Sequence, residues 1–310
     1  MSVRSILLPR LATTAATLVG AMLLLFTLSA VVPGNPADTL LGPQASPEYA
    51  RQFVATMGLD RPVPERLLRF FLALGRGDLG VDVISGRSVT SLVAAALPTT
   101  LTLTFGSIAL AIALGIPLGC LAALRPGGWF DQVLALASVA VIAIPAFVVA
   151  IVLLIVFSTA LDWLPVLGGG GPAGLVLPIA SLAVGWIGYI ARLTRTSMLE
   201  VMGEPYIRTA LAYGLPRRTV VFKYALKNAV IPTIAVLGLG VGRLLGGAVL
   251  VEIVFARPGL GKLVLDAIDS RNYPVLQGAV FVVVLLFVLT NLAVDLSYSV
   301  IDPRLRRLKR

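Results

Sequence analysis

The chain has 310 residues, of which 58% are hydrophobic and 13% charged, against about 25% charged in an ordinary soluble domain. With a mean hydropathy of +0.96, it has too little polar surface for a water-soluble body, and its apolar residues fall in long blocks that suit a bilayer. One cysteine (Cys120) excludes a disulfide framework, and the lack of histidine removes the commonest general base and transition-metal ligand. The net charge of +10 reads as basic residues gathered on the cytoplasmic side of a membrane, not as nucleic-acid binding.

A helix needs about 20 mostly apolar residues to cross the hydrocarbon core. Six stretches qualify: Leu11–Val32, Thr99–Leu124, Val133–Leu161, Leu175–Leu193, Ala229–Val251 and Val275–Ile301. The predicted fold is therefore an all-α polytopic membrane protein with six transmembrane helices and a large outer loop. Arg4 and Arg10 precede the first stretch as in a signal peptide. Its apolar core is longer than the usual 7–15 residues, however, and Val32-Pro33 makes a poor cleavage site, so an uncleaved span is expected. The loop from Pro33 to Pro98 has turn chemistry at Pro33-Gly34-Asn35-Pro36 and at Gly42-Pro43. Two short amphipathic helices are expected after it, over Pro47–Met57 and Val63–Leu74, with Pro47 and Pro64 in first-turn positions. Its length and apolar content favour a structured cap. The third stretch is long enough to need tilt or a break, and Pro145 supplies a kink by removing a backbone donor.

Six spans put both termini on one side. Arg195, Arg208, Arg217, Arg218, Lys223 and Lys227 lie between the fourth and fifth spans; Arg304, Arg306, Arg307, Lys309 and Arg310 crowd the tail. Both groups belong to the cytoplasm by the positive-inside rule. The loop 33–98 is long enough to be translocated despite its arginines, so it lies outside with Asp162–Gly174 and Glu252–Pro274. The expected organisation is an N-terminal segment and first span (1–32), an extracytoplasmic cap (33–98), a five-helix core (99–301) with a cytoplasmic segment at 195–228, and a basic tail (302–310).

Within the cytoplasmic segment, Pro205 is tolerated at a helix start, Gly214 can take the left-handed conformation that closes a helix, and Pro216 prevents continuation. The result is a short helix isolated between spans. Alone in water it is marginal, so packing must stabilise it. Helical spacing puts Tyr206, Ala210 and Tyr213 on one face, with Arg208 and Leu211 elsewhere.

Gly238, Gly242 and Gly246 recur every fourth residue on the fifth span and bare the backbone along one face, with Gly240 and Gly247 adding to its small character. That face serves either packing within the chain or a subunit interface and the pathway formed there. Arg243 lies within the same span, where a charge needs a cavity or a partner. It either faces a translocation pathway and attracts a carboxylate, pairs with an acidic residue of a partner, or snorkels outward. Asn291 and Asp295 stand one turn apart on the sixth span, as an anchor to basic residues near Lys227 or as a gate contact. No catalytic constellation or metal-ligand cluster stands out. Gly259-Leu260-Gly261-Lys262 lacks the earlier glycine and the following Ser/Thr of a phosphate-binding loop. Ser181 and Ser197 suit hydrogen bonds to backbone carbonyls better than nucleophilic roles.

Ordered motifs run through nearly the whole chain: Gly58-Leu59-Asp60-Arg61-Pro62, Gly77-Asp78-Leu79-Gly80, Gly86-Arg87-Ser88-Val89, Leu97-Pro98-Thr99-Thr100, Arg208-Thr209-Ala210 with Gly214, Leu226-Lys227-Asn228-Ala229, Ile231-Pro232, Leu245-Gly246-Gly247-Ala248 with Val251-Glu252, Pro258-Gly259-Leu260-Gly261 and Asp302-Pro303-Arg304. In their order and spacing the chain resembles the membrane permeases of the dipeptide, oligopeptide and nickel branch of ATP-binding-cassette importers. The resemblance implies a type I importer permease of the bacterial inner membrane, working with a second related permease, two ATPase subunits or domains that bind ATP and Mg, and an external solute-binding protein. By the same resemblance, this chain itself is expected to bind no cofactor and not to be an enzyme. The resemblance also makes the short cytoplasmic helix a coupling helix, with Tyr206, Arg208, Thr209, Ala210, Tyr213, Gly214 and Leu215 at the ATPase and with Ala210 and Gly214 permitting close approach. Transport of di- or oligopeptides by alternating access is the expected function, and import of nickel or a metal chelate is the alternative. A stand-alone secondary transporter would need internal repeats and membrane-embedded carboxylates, neither of which is prominent here.

Overall fold

The backbone of an apolar run must satisfy its own hydrogen bonds inside a bilayer, and helices do so locally. The computed structural model describes residues 3–31, 46, 48, 54–55, 60–165 and 171–301. In chain order it contains α1 (Val3–Val31), α2 (Val63–Leu74), α3 (Val89–Leu124), α4 (Trp129–Ala143), α5 (Ala146–Leu153, continued by a π-helical stretch, Leu154–Ala160), α6 (Ala173–Met202), α7 (Pro205–Ala212), α8 (Leu226–Val254), α9 (Leu260–Asp269) and α10 (Tyr273–Ile301). A helical turn at Arg217–Thr219 and a π-helical stretch at Val220–Ala225 lead into α8.

Among the described residues, five helices are long and apolar enough to cross a membrane, and the pair formed by α4 with α5 and its continuation makes a sixth if taken as one span. That pair bends by 101°. The cause is Pro145, which lacks an N–H and holds Ile144 in an extended conformation, so α4 stops and α5 restarts in a new direction. The expected kink is thus a full break. Val63–Leu74 is helical over the expected residues, with proline in its first turn. The helix expected over Pro47–Met57 falls almost wholly outside the described residues, as do the turns at Pro33–Pro36 and Gly42-Pro43 and the basic tail 302–310.

The chain divides into two compact units. The first comprises residues 1–100 and 258–292. From residue 60 onward the outer segment packs with α1, α9 and α10 through two apolar clusters, one around Met22, Phe26 and Phe281 and one around Val89, Leu260 and Leu276. Phe70 of α2 meets Phe26 of α1 and Phe281 of α10 edge to face, each at 5.8 Å between ring centres. The Arg66 guanidinium lies 5.6 Å from the centre of the Phe26 ring. Between α2 and α3 the chain makes a tight excursion, with Gly77, Gly80 and Gly86 all at positive φ. Asp82 holds this turn together. Its carboxylate accepts the Ile84 N–H at 2.9 Å and the Ser85 hydroxyl, and it also accepts the side-chain amide of Asn272, at the start of α10. Gly278 lets α10 touch the start of α3, since a Cβ there would come within 2.5 Å of Val89. Thr100 takes the Leu260 N–H at 2.9 Å and so caps α9.

The second unit comprises residues 101–257 and 293–310. In it α6 packs against α4, α5 and α8. Close approach is made by glycines on α3: a Cβ at Gly106, Gly115 or Gly119 would strike Ile179, Ile190 or the Ala191 carbonyl. The Ser107 hydroxyl lies 2.6 Å from the Leu103 carbonyl and 3.1 Å from that of Ile179, and the Thr194 and Thr233 hydroxyls meet at 3.2 Å between α6 and α8. One core gathers Leu103, Ala150, Leu177, Leu182, Leu244 and Val251; another, around α7, gathers Cys120, Met198, Ile207, Ala210, Val221 and Ala225.

Candidate functional site

Two regions of the second unit have features that packing alone does not explain. The first is a cavity of about 430 Å³ at the α4–α5 break. Ile142, Ile144, Pro145, Ala146 and Val149 form one wall; Ser181, Leu182, Gly185, Trp186 and Tyr189 of α6 form another; Val236, Arg243, Leu244 and Gly247 of α8 close the third. Arg243 is the one charged residue in this lining, and among the described residues its guanidinium makes no ion pair or hydrogen bond. The Trp186 and Tyr189 rings pack edge to face at 5.7 Å. Gly240 makes room for the indole, because a Cβ there would lie 2.6 Å from Trp186. Ser181 donates its hydroxyl to the Pro178 carbonyl at 2.8 Å, as a backbone-bonding serine should.

The glycine stripe expected on the fifth span divides. Gly242 is buried, Gly246 is exposed with nothing near the place of a Cβ, and Gly238 lies in α8 without further description. The close contact is made by Gly240, off that stripe. Trp186 and Tyr189 were not legible as lining residues, because an aromatic on a span reads equally as lipid-facing or core.

The second region is α7. Glu204 precedes it, Pro205 opens it and Gly214, at φ 76°, turns the chain out of it. The Gly214 N–H reaches the Leu211 carbonyl at 3.0 Å and the Leu215 N–H reaches that of Ala210 at 3.2 Å, closing the last turn. Pro216 then caps the next helical turn. Ile207 is fully buried and Ala210 is 9% exposed, both packed on Met198, Val220, Val221 and Ala225. The inner face of α7 is thus stabilised by this chain itself, and burying Ile207 contributes about 1.5–3 kcal/mol. Ala210 consequently does not share a surface with Tyr206 and Tyr213. Its small side chain serves close packing inward. Tyr206, Arg208, Thr209, Leu211, Tyr213 and Gly214 are exposed, with Tyr213 at 84%. Leu215 is half-buried against the inner cluster.

Asp131 near the start of α4 is 3% exposed and pairs through both oxygens with Arg195 of α6. The Arg195 Nη2 contact is 2.6 Å, and the Gly127 N–H adds another at 2.9 Å. Arg195, one of the basic residues between the fourth and fifth spans, is therefore committed to a structural pair. Asn291 is half-buried on α10; Asp295 follows one turn later in the same helix, its side chain outside the described residues.

Arg243, with no ion pair among the described residues, thus lines a cavity, and α7 is a short, largely exposed helix between two long apolar ones. Residues 115–307 match the family described as the binding-protein-dependent transport system inner membrane component. The chain belongs to this family. It is 38% identical over 308 residues to a probable peptide ABC transporter permease of Sinorhizobium fredii, covering 97% of this chain and 98% of that one. It is 37% identical to a glutathione transport system permease of Pectobacterium atrosepticum, covering 94% of this chain and 95% of that one. A dipeptide transport system permease of Alkalihalophilus pseudofirmus is 35% identical, with 93% and 95% covered. The crystal structure of an amino acid ABC transporter with histidines matches the fold at a TM-score of 0.53 and 18% identity, covering 69% of this chain and 94% of that chain. As an inner membrane component of a binding-protein-dependent system, the chain is a multi-pass permease subunit of an ABC importer, not its ATPase. Such components work in general with another permease, an ATPase and a binding protein.

Proposed function

We propose that this chain, paired with a second permease, forms the pathway of an ATP-driven importer of di- or oligopeptides. Whole-length likeness to permeases for peptides, dipeptides and glutathione carries this reading. Both termini and α7 face the cytoplasm, while the first unit's α2, α9 and the turn at Asp78–Ser88 face the solute-binding protein outside. ATP and Mg are bound by two partner ATPase subunits, and α7 docks on one of them through Tyr206, Arg208, Thr209, Leu211 and Tyr213. ATP binding and hydrolysis then rock the spans between outward- and inward-facing states, with the Arg243 cavity on the route. Asn291 and Asp295 anchor the inner end of α10. Nothing in the cavity favours the nickel or metal-chelate alternative. Affinity purification of the tagged chain in mild detergent tests the assembly. A second permease and ATPase subunits should come with it, and a chain recovered alone would count against it.

A further inference from the structure

We infer that the Arg243 cavity is an anion-anchored subsite for the free carboxylate end of a short solute whose remaining surface is apolar or aromatic. The inference rests on the importer reading above and adds to it the chemistry that the pathway selects. Its volume of about 430 Å³ falls toward the small end of ligand sites, about 300–1,000 Å³, and suits one or two residues of a peptide rather than a long chain. The walls are hydrocarbon from Ile142, Ile144, Pro145, Val149, Leu182 and Leu244, so a polar solute would lose hydration there without replacement. One fixed cation stands against them. Arg243 sits on α8 about 16 Å before the end of that helix at Val254, a depth at which a charge stays only if water, a partner or a ligand meets it. It has no ion pair or hydrogen bond among the described residues, and a planar guanidinium offers a carboxylate two parallel donors. The Trp186–Tyr189 pair, packed edge to face, supplies an aromatic wall of the cavity for an apolar side chain. Ser181 is occupied with the Pro178 carbonyl, which leaves the guanidinium as the feature that sets charge preference.

The test uses the complete complex with its binding protein, reconstituted in proteoliposomes. The probes are an equimolar mixture of dipeptides and the matching mixture of their C-terminal amides, with uptake read by mass spectrometry and ATP hydrolysis read in parallel. In Arg243→Gln, uptake of the free acids should fall about tenfold, as expected for losing a charge-assisted hydrogen bond. Uptake of the amides should fall several-fold less than that of the acids, binding-protein-stimulated ATPase activity should persist, and Arg243→Lys should retain most of the acid uptake. Because the binding protein is the same throughout, a change in the acid-to-amide ratio reports on the permease. An equal loss of both mixtures, or loss of stimulated ATPase, would assign Arg243 to structure and overturn the subsite while leaving the importer standing. Absence of ATP-dependent uptake of either mixture by the wild-type complex would remove the peptide reading, and the subsite with it.

Discussion

Asn228 donates its side-chain amide to the Tyr206 hydroxyl at 2.9 Å, between residues 22 positions apart, and also to the Tyr224 carbonyl at 3.0 Å. The bond joins α7 to the start of α8, the helix that carries Arg243 about 22 Å further along. A specific contact thus ties α7 to the cavity-lining helix, alongside the Ile207 core. Tyr206→Phe removes the hydroxyl and keeps the ring. The bond is solvent-accessible, so stability should change by about 1 kcal/mol or less. The number of peptides transported per ATP should fall. Thermal unfolding in detergent, together with paired uptake and ATPase assays, checks both parts.

Gly214 has open space where a Cβ would go, but its φ is 76°. The difficulty for other residues is thus backbone conformation and not collision. Gly214→Ala should destabilise the closure of α7 by roughly 1–2 kcal/mol, and Gly214→Asn by less, because asparagine tolerates the left-handed region. Recovery of ATPase subunits on affinity purification should decline in the order Gly, Asn, Ala. Equal recovery for all three would mean that this turn does not set the docking surface.

Asp131 is nearly inaccessible and depends on Arg195 for compensation. Arg195→Met should strand the carboxylate and destabilise by about 1–3 kcal/mol, since Arg195 is partly open to solvent. Arg195→Lys should recover only part, because it loses the two-pronged geometry. The double variant Asp131→Leu with Arg195→Met should lie nearer wild type than Arg195→Met alone. Unfolding midpoints of the purified variants, compared as a cycle, measure this coupling.

The Asp82 carboxyl titrates below its ordinary value of 3.8. Burial pushes it upward, and the hydrogen bonds from Ser85, the Ile84 N–H and Asn272 together outweigh that push. A depressed folded-state value means stability that is complete above the unfolded value, near 4, and lost as pH falls through the folded one. Protection of the amides in residues 78–89, expressed relative to their intrinsic exchange rate at each pH, should therefore stay high at pH 5 and fall as pH drops below 4. Asp82→Asn should abolish that dependence and loosen the turn at every pH.

Local chemistry made much of this fold legible. Runs of apolar residues marked the spans, Pro64 and the amphipathic pattern marked Val63–Leu74, Pro145 marked the break, and Gly214 with Pro216 marked the end of α7. Each is decided by neighbours within a few positions. Side-chain partners set by packing were not legible. Asp131 finds Arg195 64 residues away and Asp82 finds Asn272 190 residues away, and nothing in either's local pattern points to the other. Ala210 illustrates the limit within a single helix: spacing put it with Tyr206 and Tyr213, but the buried strip of α7 runs through Ile207 and Ala210, three residues apart, and leaves Tyr206 and Tyr213 exposed. Arg243 was legible as an anomaly because charge inside a span is costly wherever it packs. Its aromatic neighbours became visible only once α6 and α8 were placed side by side.

The most direct test of the account is uptake by proteoliposomes carrying this chain with its second permease and ATPase subunits, in the presence of the solute-binding protein. The account predicts accumulation of short peptides that requires internal or external ATP on the α7 side, stops when the binding protein is omitted, and is absent with this chain alone. Accumulation by the chain alone without ATP, driven by an ion gradient, would contradict it.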